Sequence, residues 1–571
     1  MNLNELKQVM SLDKSKVNDS FPNLDITLFQ ALETAAERNP QAVAMSYYGK
    51  EYSYSYLLKT AEASARALFS LGIRRGDAVT VMLPNIPQAV SLFYGISRIG
   101  AVANMIHTLS SEEEIAYYLK KAKSRVIVTL NVFLEKADNA ISHSGLDAAI
   151  IYTSASEKLP FMKKMGYKLK NKTEKPKQKG KGWYSLRNLL SDSRHITLAE
   201  CCYSKDTTAV ILYSGGSTGF PKGICLSDKN FNAASVQLAN ACGIQLKSGV
   251  KFLSAMPLFH GFGLCVGLHT FISYGAQCVL VPVFNTSAYV STLLKYKPHM
   301  MAIVPSMLEA LLHIDTFDGK DLSFLKGVFC GADVVPIQLQ KRVNAFLSSH
   351  GCRQMVREGY GLTETVTACI WNPSDHIVPG SVGVPLGDTR CRIVKPGTFE
   401  DLLPGEAGEL ILNGSVVMLG YLDDQEETIA ALRTDHDGKK WLFTGDMCRI
   451  DNNGYVYFVQ RIKRLIITSG FNVTPMQVER IINEDENVDK CCVIGEKDKL
   501  LGQRVTAVVV LKKQESFSNA RDRILSACKK RLSDYAVPTK IVFREDLPLT
   551  KMGKIDITRI ENELNQPREG V

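Results

Sequence analysis

The feature that most restricts the fold of this chain is a recurrence of short apolar, β-branched runs, each followed by turn residues and a helical pattern. From Thr27 to about Arg125, helical patterns alternate with runs such as Ala78 to Met82, and Val126 to Leu130 and Ala148 to Tyr152 add two more. The alternation resumes with Thr207 to Leu212, Phe252 to Pro257, Gln277 to Val281, Met301 to Pro305, Gly327 to Cys330 and Met355 to Glu358. Strands alternating with helices in this way predict an α/β protein whose largely parallel sheets are covered on both faces. Two such series predict two doubly wound sheets, and 571 residues with 45% hydrophobic content allow more than one domain. In open sheets of this kind ligands sit at the carboxyl ends of the strands, so the residues after each run are the candidates for chemistry.

After Thr207 to Leu212 comes Tyr213-Ser214-Gly215-Gly216-Ser217-Thr218-Gly219-Phe220-Pro221-Lys222-Gly223, read as the loop between a strand and a helix capped at Ser227-Asp228. Gly215, Gly216 and Gly219 let the backbone turn and expose amide N–H groups beside the hydroxyls of Ser214, Ser217 and Thr218 and the ammonium of Lys222. That surface suits a polyphosphate. It is not a Walker loop, because proline precedes the lysine and glycine follows it. Taken alone, it reads equally as a flexible Gly/Ser loop with a chance lysine.

Three further segments follow strand candidates. Pro257-Leu258-Phe259-His260-Gly261-Phe262-Gly263 places an imidazole and two aromatics beside small residues that can border an apolar tunnel. Gly331-Ala332-Asp333 offers close backbone approach and a carboxylate, and Glu358-Gly359-Tyr360-Gly361-Leu362-Thr363-Glu364 offers an aromatic face for a base, a hydroxyl for phosphate and a hard carboxylate for Mg²⁺. Each is weak alone, and a lone histidine is usually structural; their order after the loop gives them weight.

From about Gly380 short runs and turns, among them Gly383-Val384-Pro385, Gly405 to Leu410 and Gly420-Tyr421, predict a small β-barrel-like subdomain. Phe443-Thr444-Gly445-Asp446 puts a carboxylate beyond a tight turn, where it can accept a ribose diol or simply cap the turn. Asp451-Asn452-Asn453-Gly454 reads as a hairpin turn, and the charged tract Gln460-Arg461-Ile462-Lys463-Arg464 as a domain junction. Beyond it, a helix at Pro475 to Asn483, strands at Lys490 to Ile494 and Arg504 to Leu511 and a helix at Ser518 to Leu532 make a small α+β domain. It ends on Leu547 to Asp556, with lysines at the loop tip. The expected division is a large domain over 1–460, with a basic insert at about 158–190, and a small mobile domain over 461–571.

Composition narrows the function. The fourteen cysteines are scattered and nowhere form Cys-x-x-Cys, which argues against a zinc or dithiol site and for reduced thiols. No targeting signal is visible at either end, so a cytoplasmic location is expected. Phe252 to Leu294 has no Asp, Glu, Lys or Arg, but Pro257, Pro282 and four glycines interrupt it, which marks dry core rather than a bilayer span. The net charge of +10 is concentrated in Lys158 to Lys181, with ten lysines against Glu174. Nothing resembles a nucleic-acid motif. The segment reads as a solvated basic loop or, since Leu159, Phe161, Met162, Met165, Tyr167 and Leu169 are interleaved, as a peripheral contact with anionic lipid at the membrane inner face.

Assembled, these motifs resemble the adenylate-forming (AMP-binding) superfamily of acyl-CoA synthetases, peptide-synthetase adenylation domains and firefly luciferase, over about Thr27 to Ile560. The wording of Ser469-Gly470-Phe471-Asn472-Val473, with Pro475 following, is most like long-chain fatty-acyl-CoA synthetases. The resemblance implies ATP, Mg²⁺ and CoA as cosubstrates or cofactors. It implies that Ser214 to Gly223 hold phosphates, Gly331, Ala332, Asp333, Tyr360 and Gly361 form the adenine pocket, and Thr363 and Glu364 contact the α-phosphate and Mg²⁺, with Thr218 a second metal contact. Asp446 and Arg461 match ribose contacts, Lys463 the hinge, Gly470 and Phe471 the border of the pantetheine tunnel, and Lys554 the catalytic lysine. His260 stands where amino-acid-activating members carry aspartate, which favours an acid without an α-amino group. Three positions depart from the pattern: Gly215 for a hydroxyl residue, Gln460 for aspartate, and Ile467 for a lysine of luciferase-like members. The implied function is fatty acid activation to a CoA thioester; the alternatives are loading of a separate carrier protein, or a non-catalytic lipid- or nucleotide-binding protein at membranes.

Overall fold

The computed structural model describes residues 24–160, 163, 165, 182–201, 203–204, 206–214, 221–282, 286–464, 466–468, 471–473, 475–498, 501–512, 516–532, 534–550 and 554–565. By contacts the chain divides into one unit running to Arg390 with Leu412–Leu442, and a second made of Cys391–Ile411 and Phe443 onward. Among the described residues no helix is long and apolar enough to cross a membrane.

The first unit holds the two wound sheets. The eight-stranded sheet runs, in spatial order, Gly420–Tyr421, Lys222–Leu226, Val210–Ser214, Val102–Met105, Ala78–Met82, Val126–Leu130, Ala149–Thr153 and Trp183–Ser185. The nine-stranded sheet runs Val384–Pro385, Ala368–Trp371, Val356–Gly361, Gly327–Cys330, Met300–Ile303, Lys251–Ser254, Gln277–Leu280, Val43–Tyr47 and Lys50–Ser53. The central strands pair in parallel and are buried along their whole length, as Ala78–Met82 and Met300–Ile303 are, because helices cover both faces. That two-sided burial is why they read as near-continuous apolar runs; Thr80 is tolerated in Ala78–Met82 because its buried hydroxyl pairs with that of Ser124 at 2.7 Å.

Two expectations are corrected here. The glycine loop does not lead straight to a helix: it joins Val210–Ser214 to an antiparallel strand, Lys222–Leu226, with Ser214 opposite Lys222, and the helix Asp228–Ala241 starts only after the Ser227 cap. Ile224 to Leu226 is apolar enough to be a buried strand, and an antiparallel return needs only a short connection. Gly420–Tyr421 belongs not to the β-rich segment but to this sheet, paired antiparallel with Ile224 and Cys225.

One buried cation ties the large unit together. Arg357, 2% exposed, donates to the carbonyls of Ala241 (2.6 Å), Cys242 (3.2 Å) and Asn372 (2.7 and 2.9 Å). Its guanidinium lies 5.3 Å from the Phe329 ring and 5.5 Å from that of Trp371. Burial pulls its pKa down to about 10. The charge neutralises the carboxyl end of the helix Asp228–Ala241, where backbone carbonyls have no helical partner. Arg357→Ala strands these carbonyls in the core and is expected to cost about 4 kcal/mol in urea unfolding. Arg357→Lys should recover only part, since an ammonium lacks the planar fork; a midpoint unchanged by Arg357→Ala would contradict this.

The second unit is antiparallel where it begins. Lys440–Ile450 turns through Asp451 to Gly454 into Val456–Arg461, as the hairpin signal predicts. Thr444-Gly445-Asp446 is not a tight turn but the middle of the long strand, bent at Gly445 with φ +69°. The small α+β fold follows, its sheet ordered Phe471–Val473, Ile466–Thr468, Gly502–Leu511 and Val488–Asp498, with Lys540–Phe543 parallel beside Gly502–Leu511. Alternation gives it two cores. Cys491, Val493, Val505 and Val509 pack under the helices Pro475–Asn483 and Phe517–Arg531, while Cys492, Ile494, Val508 and Val510 face Leu547 and Ile560.

Candidate active site

In the first unit, Lys222 is placed by the strand that leaves the glycine loop. Its ammonium is 2.7 Å from Glu427 and lies over the Tyr421 ring at 5.1 Å. The Tyr421 hydroxyl donates to Glu364 Oε1 at 2.9 Å, and the Glu364 carbonyl accepts from the Met418 amide at 2.8 Å. Burial and the Glu364 carboxylate push the Tyr421 hydroxyl far above the usual phenol range, so it stays a donor. One tyrosine thus bridges a cation and a carboxylate that are far apart in the chain. Gly215, Gly216, Ser217, Thr218 and Gly219 lie outside the described residues.

Beside them, Gly327–Cys330 and Val356–Gly361 run parallel with Cys330 opposite Glu358, which brings Gly331-Ala332-Asp333 next to Gly359-Tyr360-Gly361. Glu358, 4% exposed, joins the two: its Oε1 accepts from the Val335 amide at 3.1 Å. Burial, with the nearby Asp333 carboxylate, raises the Glu358 pKa to about 7. Ala332 takes the left-handed conformation at φ +70°, and Asp333 accepts from the Val334 amide at 2.9 Å. Tyr360 is buried at 8% exposure, and Thr363 opens the short helical turn Thr363–Thr365 that carries Glu364.

His260 sits at the start of a π-helix, Phe262–His269, and its Nδ1 accepts from the Phe262 amide at 3.1 Å. Asn85, from the other sheet, holds the turn before it: its amide donates to the carbonyls of Ser254 (3.0 Å) and Met256 (2.9 Å) and its oxygen accepts from the Leu258 amide (3.3 Å). Gly261 packs so closely on the Glu364 segment that an added Cβ would lie 1.6 Å from the Val366 carbonyl oxygen. Val366 is itself strained, a buried β-branched residue at φ +65°.

In the second unit Asp446, 2% exposed, lies directly opposite Arg461 across the hairpin, with Arg461 Nε 3.4 Å from its Oδ1. The Asp446 amide donates to Thr444 Oγ1 at 3.1 Å, which holds the bend. Lys463 lies in the helical turn Ile462–Arg464, its side chain outside the described residues. The next residue, Arg464, is anchored by Glu479 at 2.7 Å and by the Val493 carbonyl at 3.3 Å. Lys554 stands at the neck of a loop closed by Thr550, whose amide donates to the Lys554 carbonyl (2.6 Å) and whose hydroxyl accepts from the Lys554 amide (3.2 Å). Gly470 and the Phe471 side chain lie outside the described residues.

A nucleotide-suited cradle on wound sheets, followed by a separate small α+β unit with a terminal lysine loop, matches known families. Residues 32–422 match the AMP-binding enzyme family and residues 477–554 the AMP-binding enzyme C-terminal domain. The chain belongs to the AMP-binding enzymes. This AMP-binding enzyme is 33% identical over 546 residues to the long-chain-fatty-acid–CoA ligase of Bacillus subtilis (strain 168), covering 94% of each chain. It is 30% identical over 491 residues to the probable 4-coumarate–CoA ligase 3 of Dictyostelium discoideum, covering 86% of this chain and 84% of that one. Its fold is also that of the anthranilate–CoA ligase AuaEII crystallised with anthranoyl-AMP, with a TM-score of 0.80 at 24% identity over 95% and 98% of the two chains. The ATP-bound RpMatB-BxBclM chimera B1 gives 0.82 at 25% identity over 95% and 99%. The enzyme is thus of the AMP-forming acid–CoA ligase kind.

Four residues that the fold brings to the candidate site of this AMP-binding enzyme were not singled out from the sequence: Tyr421, Glu427, Glu358 and Asn85. Tyr421 carries the one available signal, an aromatic after glycine on a segment otherwise rich in charge, but its partner Glu364 is not local. As for Mg²⁺, no group of three or more His, Cys, Asp or Glu side chains among the described residues is placed to cage a metal. A lone carboxylate fixed by a neutral donor still fits Mg²⁺, which keeps several waters and takes one or two carboxylates plus phosphate oxygens. Tyr421→Phe removes the donor that orients Glu364 and is expected to raise the magnesium concentration for half-maximal activity by about tenfold, from a lost charge-assisted hydrogen bond. A magnesium titration checks this, and an unchanged midpoint would refute the orienting role.

Proposed function

We propose that this enzyme joins a medium to long fatty acid to CoA: the acid and ATP give an acyl-adenylate and pyrophosphate, and the CoA thiol then displaces AMP. The observation that carries this reading is the meeting of Lys222, on the strand that follows the glycine loop in sequence, with Tyr421 and Glu364, a cation for phosphate and a carboxylate for its counterion on one tyrosine. A carboxylate attacks an anionic α-phosphorus poorly, so both must be neutralised and held in line. In the first step the carboxylate oxygen bonds to the α-phosphorus as the bond to the β-phosphoryl oxygen breaks. Lys554 neutralises the entering carboxylate, while the loop of Ser214 to Gly219 and Lys222, released from Glu427, hold the departing pyrophosphate. Bound at Glu364 and Thr218, Mg²⁺ would supply charge neutralisation at the phosphates. Gly331, Ala332, Asp333, Tyr360 and Gly361 hold the base, Thr363 the α-phosphate, and Asp446 and Arg461 the ribose. In the second step the small domain turns about Lys463, next to the anchored Arg464, so that Lys554 withdraws and Gly470 and Phe471 border the path of the thiol.

Support for a fatty acid comes from the uncharged Phe252 to Leu294 segment, from His260 where a substrate ammonium would need a carboxylate, and from the 33% identity to a long-chain-fatty-acid–CoA ligase. The name of the Dictyostelium relative makes aromatic acids the rival substrates. Ile467, in place of a lysine, leaves the thioester step without a lysine at that position; the second reading is transfer of the acyl group to a separate carrier protein. The same proposal includes a cytoplasmic enzyme in peripheral contact with a membrane through Lys158 to Lys181. A panel of fatty, aromatic and amino acids, scored separately for pyrophosphate and for CoA thioester, tests it. Pyrophosphate and thioester with fatty acids are expected; a preference for aromatic acids would refute the substrate, pyrophosphate without thioester would favour the carrier, and neither product would leave a binding protein.

A further inference from the structure

A cluster of tyrosines and lysines lies at the root of the basic segment, in the first unit. The strands Val43–Tyr47 and Lys50–Ser53 are joined by Tyr48 and Gly49 alone, both at positive φ (50° and 99°), which makes a stiff two-residue hairpin with Tyr48 at its tip, 43% exposed. Around that tip the lysines stand on aromatic rings. Lys163 Nζ is 5.0 Å from the Tyr48 ring, Lys50 Nζ 5.2 Å from Tyr52, and Lys158 Nζ 5.4 Å from Tyr56, to whose hydroxyl it also donates at 2.7 Å. Lys295 Nζ is 5.5 Å from the Tyr296 ring and 3.5 Å from where a side chain on Gly49 would begin. The Tyr52 hydroxyl donates to the Lys158 carbonyl and that of Tyr47 to the Ala155 carbonyl, so the place where the basic segment leaves the sheet is pinned to the hairpin. Met165, 49% exposed, lies in the same stretch. The acidic neighbours in sequence are Glu51 and Glu157, against five lysines when Lys297 is included.

We infer that this hairpin-and-lysine patch docks the enzyme on a membrane surface of anionic phospholipid. Charge decides the partner: four ring-seated lysines stand on a rigid base, and the sequence that continues from Lys163 carries eight more lysines and one glutamate between residues 164 and 181. Aromatics at such a base suit the headgroup layer, where an amphipathic ring is wet at one end and apolar at the other. Leu159 and the exposed Met165 add apolar side chains that a nucleic-acid partner would not use. This deepens the membrane contact proposed above but does not depend on catalysis.

Co-sedimentation of the full chain with vesicles of pure phosphatidylcholine, or of phosphatidylcholine mixed with phosphatidylglycerol, tests the inference. Binding is expected only to the mixed vesicles and should weaken with salt. Neutralising three patch residues together, Lys50→Gln, Lys163→Gln and Lys295→Gln, should lower the partition coefficient by roughly fivefold per lysine, about 100-fold in all. Tyr48→Ser alone should lower it severalfold. Both variants should keep wild-type melting and wild-type pyrophosphate release with detergent-dispersed fatty acid. Equal binding to both vesicle types, wild-type binding by the triple variant, or binding of duplex RNA as tight and as salt-dependent as that of the mixed vesicles would overturn the assignment.

Discussion

Lys554→Ala is expected to lose about 100-fold or more in acyl-adenylate formation, the usual scale for removing one contact made to transition-state charge, while still binding ATP. The reason is electrostatic. The proposed first step brings two anions together, and a fixed ammonium is worth most where water has been excluded. The position of Lys554 supports this role: the backbone bonds to Thr550 and the bridge between Leu549 and Ile555 give the loop a firm neck, so its lysine is presented on a defined base. The loss should fall on kcat for pyrophosphate release, and thioester formation from a preformed acyl-adenylate should be far less affected, because the proposed rotation withdraws the lysine in that step. Comparing the two half-reactions in one variant checks the assignment. Near-normal pyrophosphate release, or equal loss in both halves, would remove Lys554 from the chemistry.

Gly261→Ala is expected to do comparable damage through the backbone alone. A methyl there would lie 1.6 Å from the Val366 oxygen and 2.8 Å from its carbonyl carbon, both backbone atoms of a buried segment. No side chain can rotate to make room, so the His260 turn and the Glu364 segment must separate by more than an ångström. Overpacking of this kind costs about 3 kcal/mol, and a displacement of about 1 Å at reacting groups costs roughly 100-fold in rate. Val366 already stores strain at φ +65°, and Val366→Gly relieves that strain while losing a buried isopropyl group, so it should cost only about 1–2 kcal/mol and serves as the control without overpacking. Urea unfolding and pyrophosphate release measured on both variants decide the matter; an active, stable Gly261→Ala protein would show that the two loops are not locked together.

The central strands were legible because a strand buried on both faces is apolar at nearly every position, as Met300–Ile303 and Gly327–Cys330 are. The helix Pro475–Asn483, the Ser227 cap and the Asp451 to Gly454 hairpin were legible because proline, serine and Asn-Gly act locally. The return strand Lys222–Leu226 was not, since Pro221-Lys222-Gly223 reads as punctuation before a helix. The π-helix Phe262–His269 was hidden for another reason. All its residues are buried, so no polar face marks its period. Arg357 was hidden by its type, because an arginine at a strand end reads as solvent-facing until four carbonyl contacts are seen around it. Of the site, the order of the motifs was readable, whereas the links Tyr421 to Glu364, Glu358 to Val335 and Asn85 to Leu258 join residues that only the folded sheets bring together.

The most direct measurement omits CoA. Enzyme, ATP, a magnesium salt and a long-chain fatty acid are mixed, quenched and separated, with the adenine nucleotides and pyrophosphate quantified and the protein-bound species identified by mass spectrometry. The expected result is fatty-acid-dependent pyrophosphate release matched by an acyl-adenylate, which becomes AMP and thioester when CoA is added. ADP in place of AMP, or no pyrophosphate with any acid, would contradict the proposed chemistry.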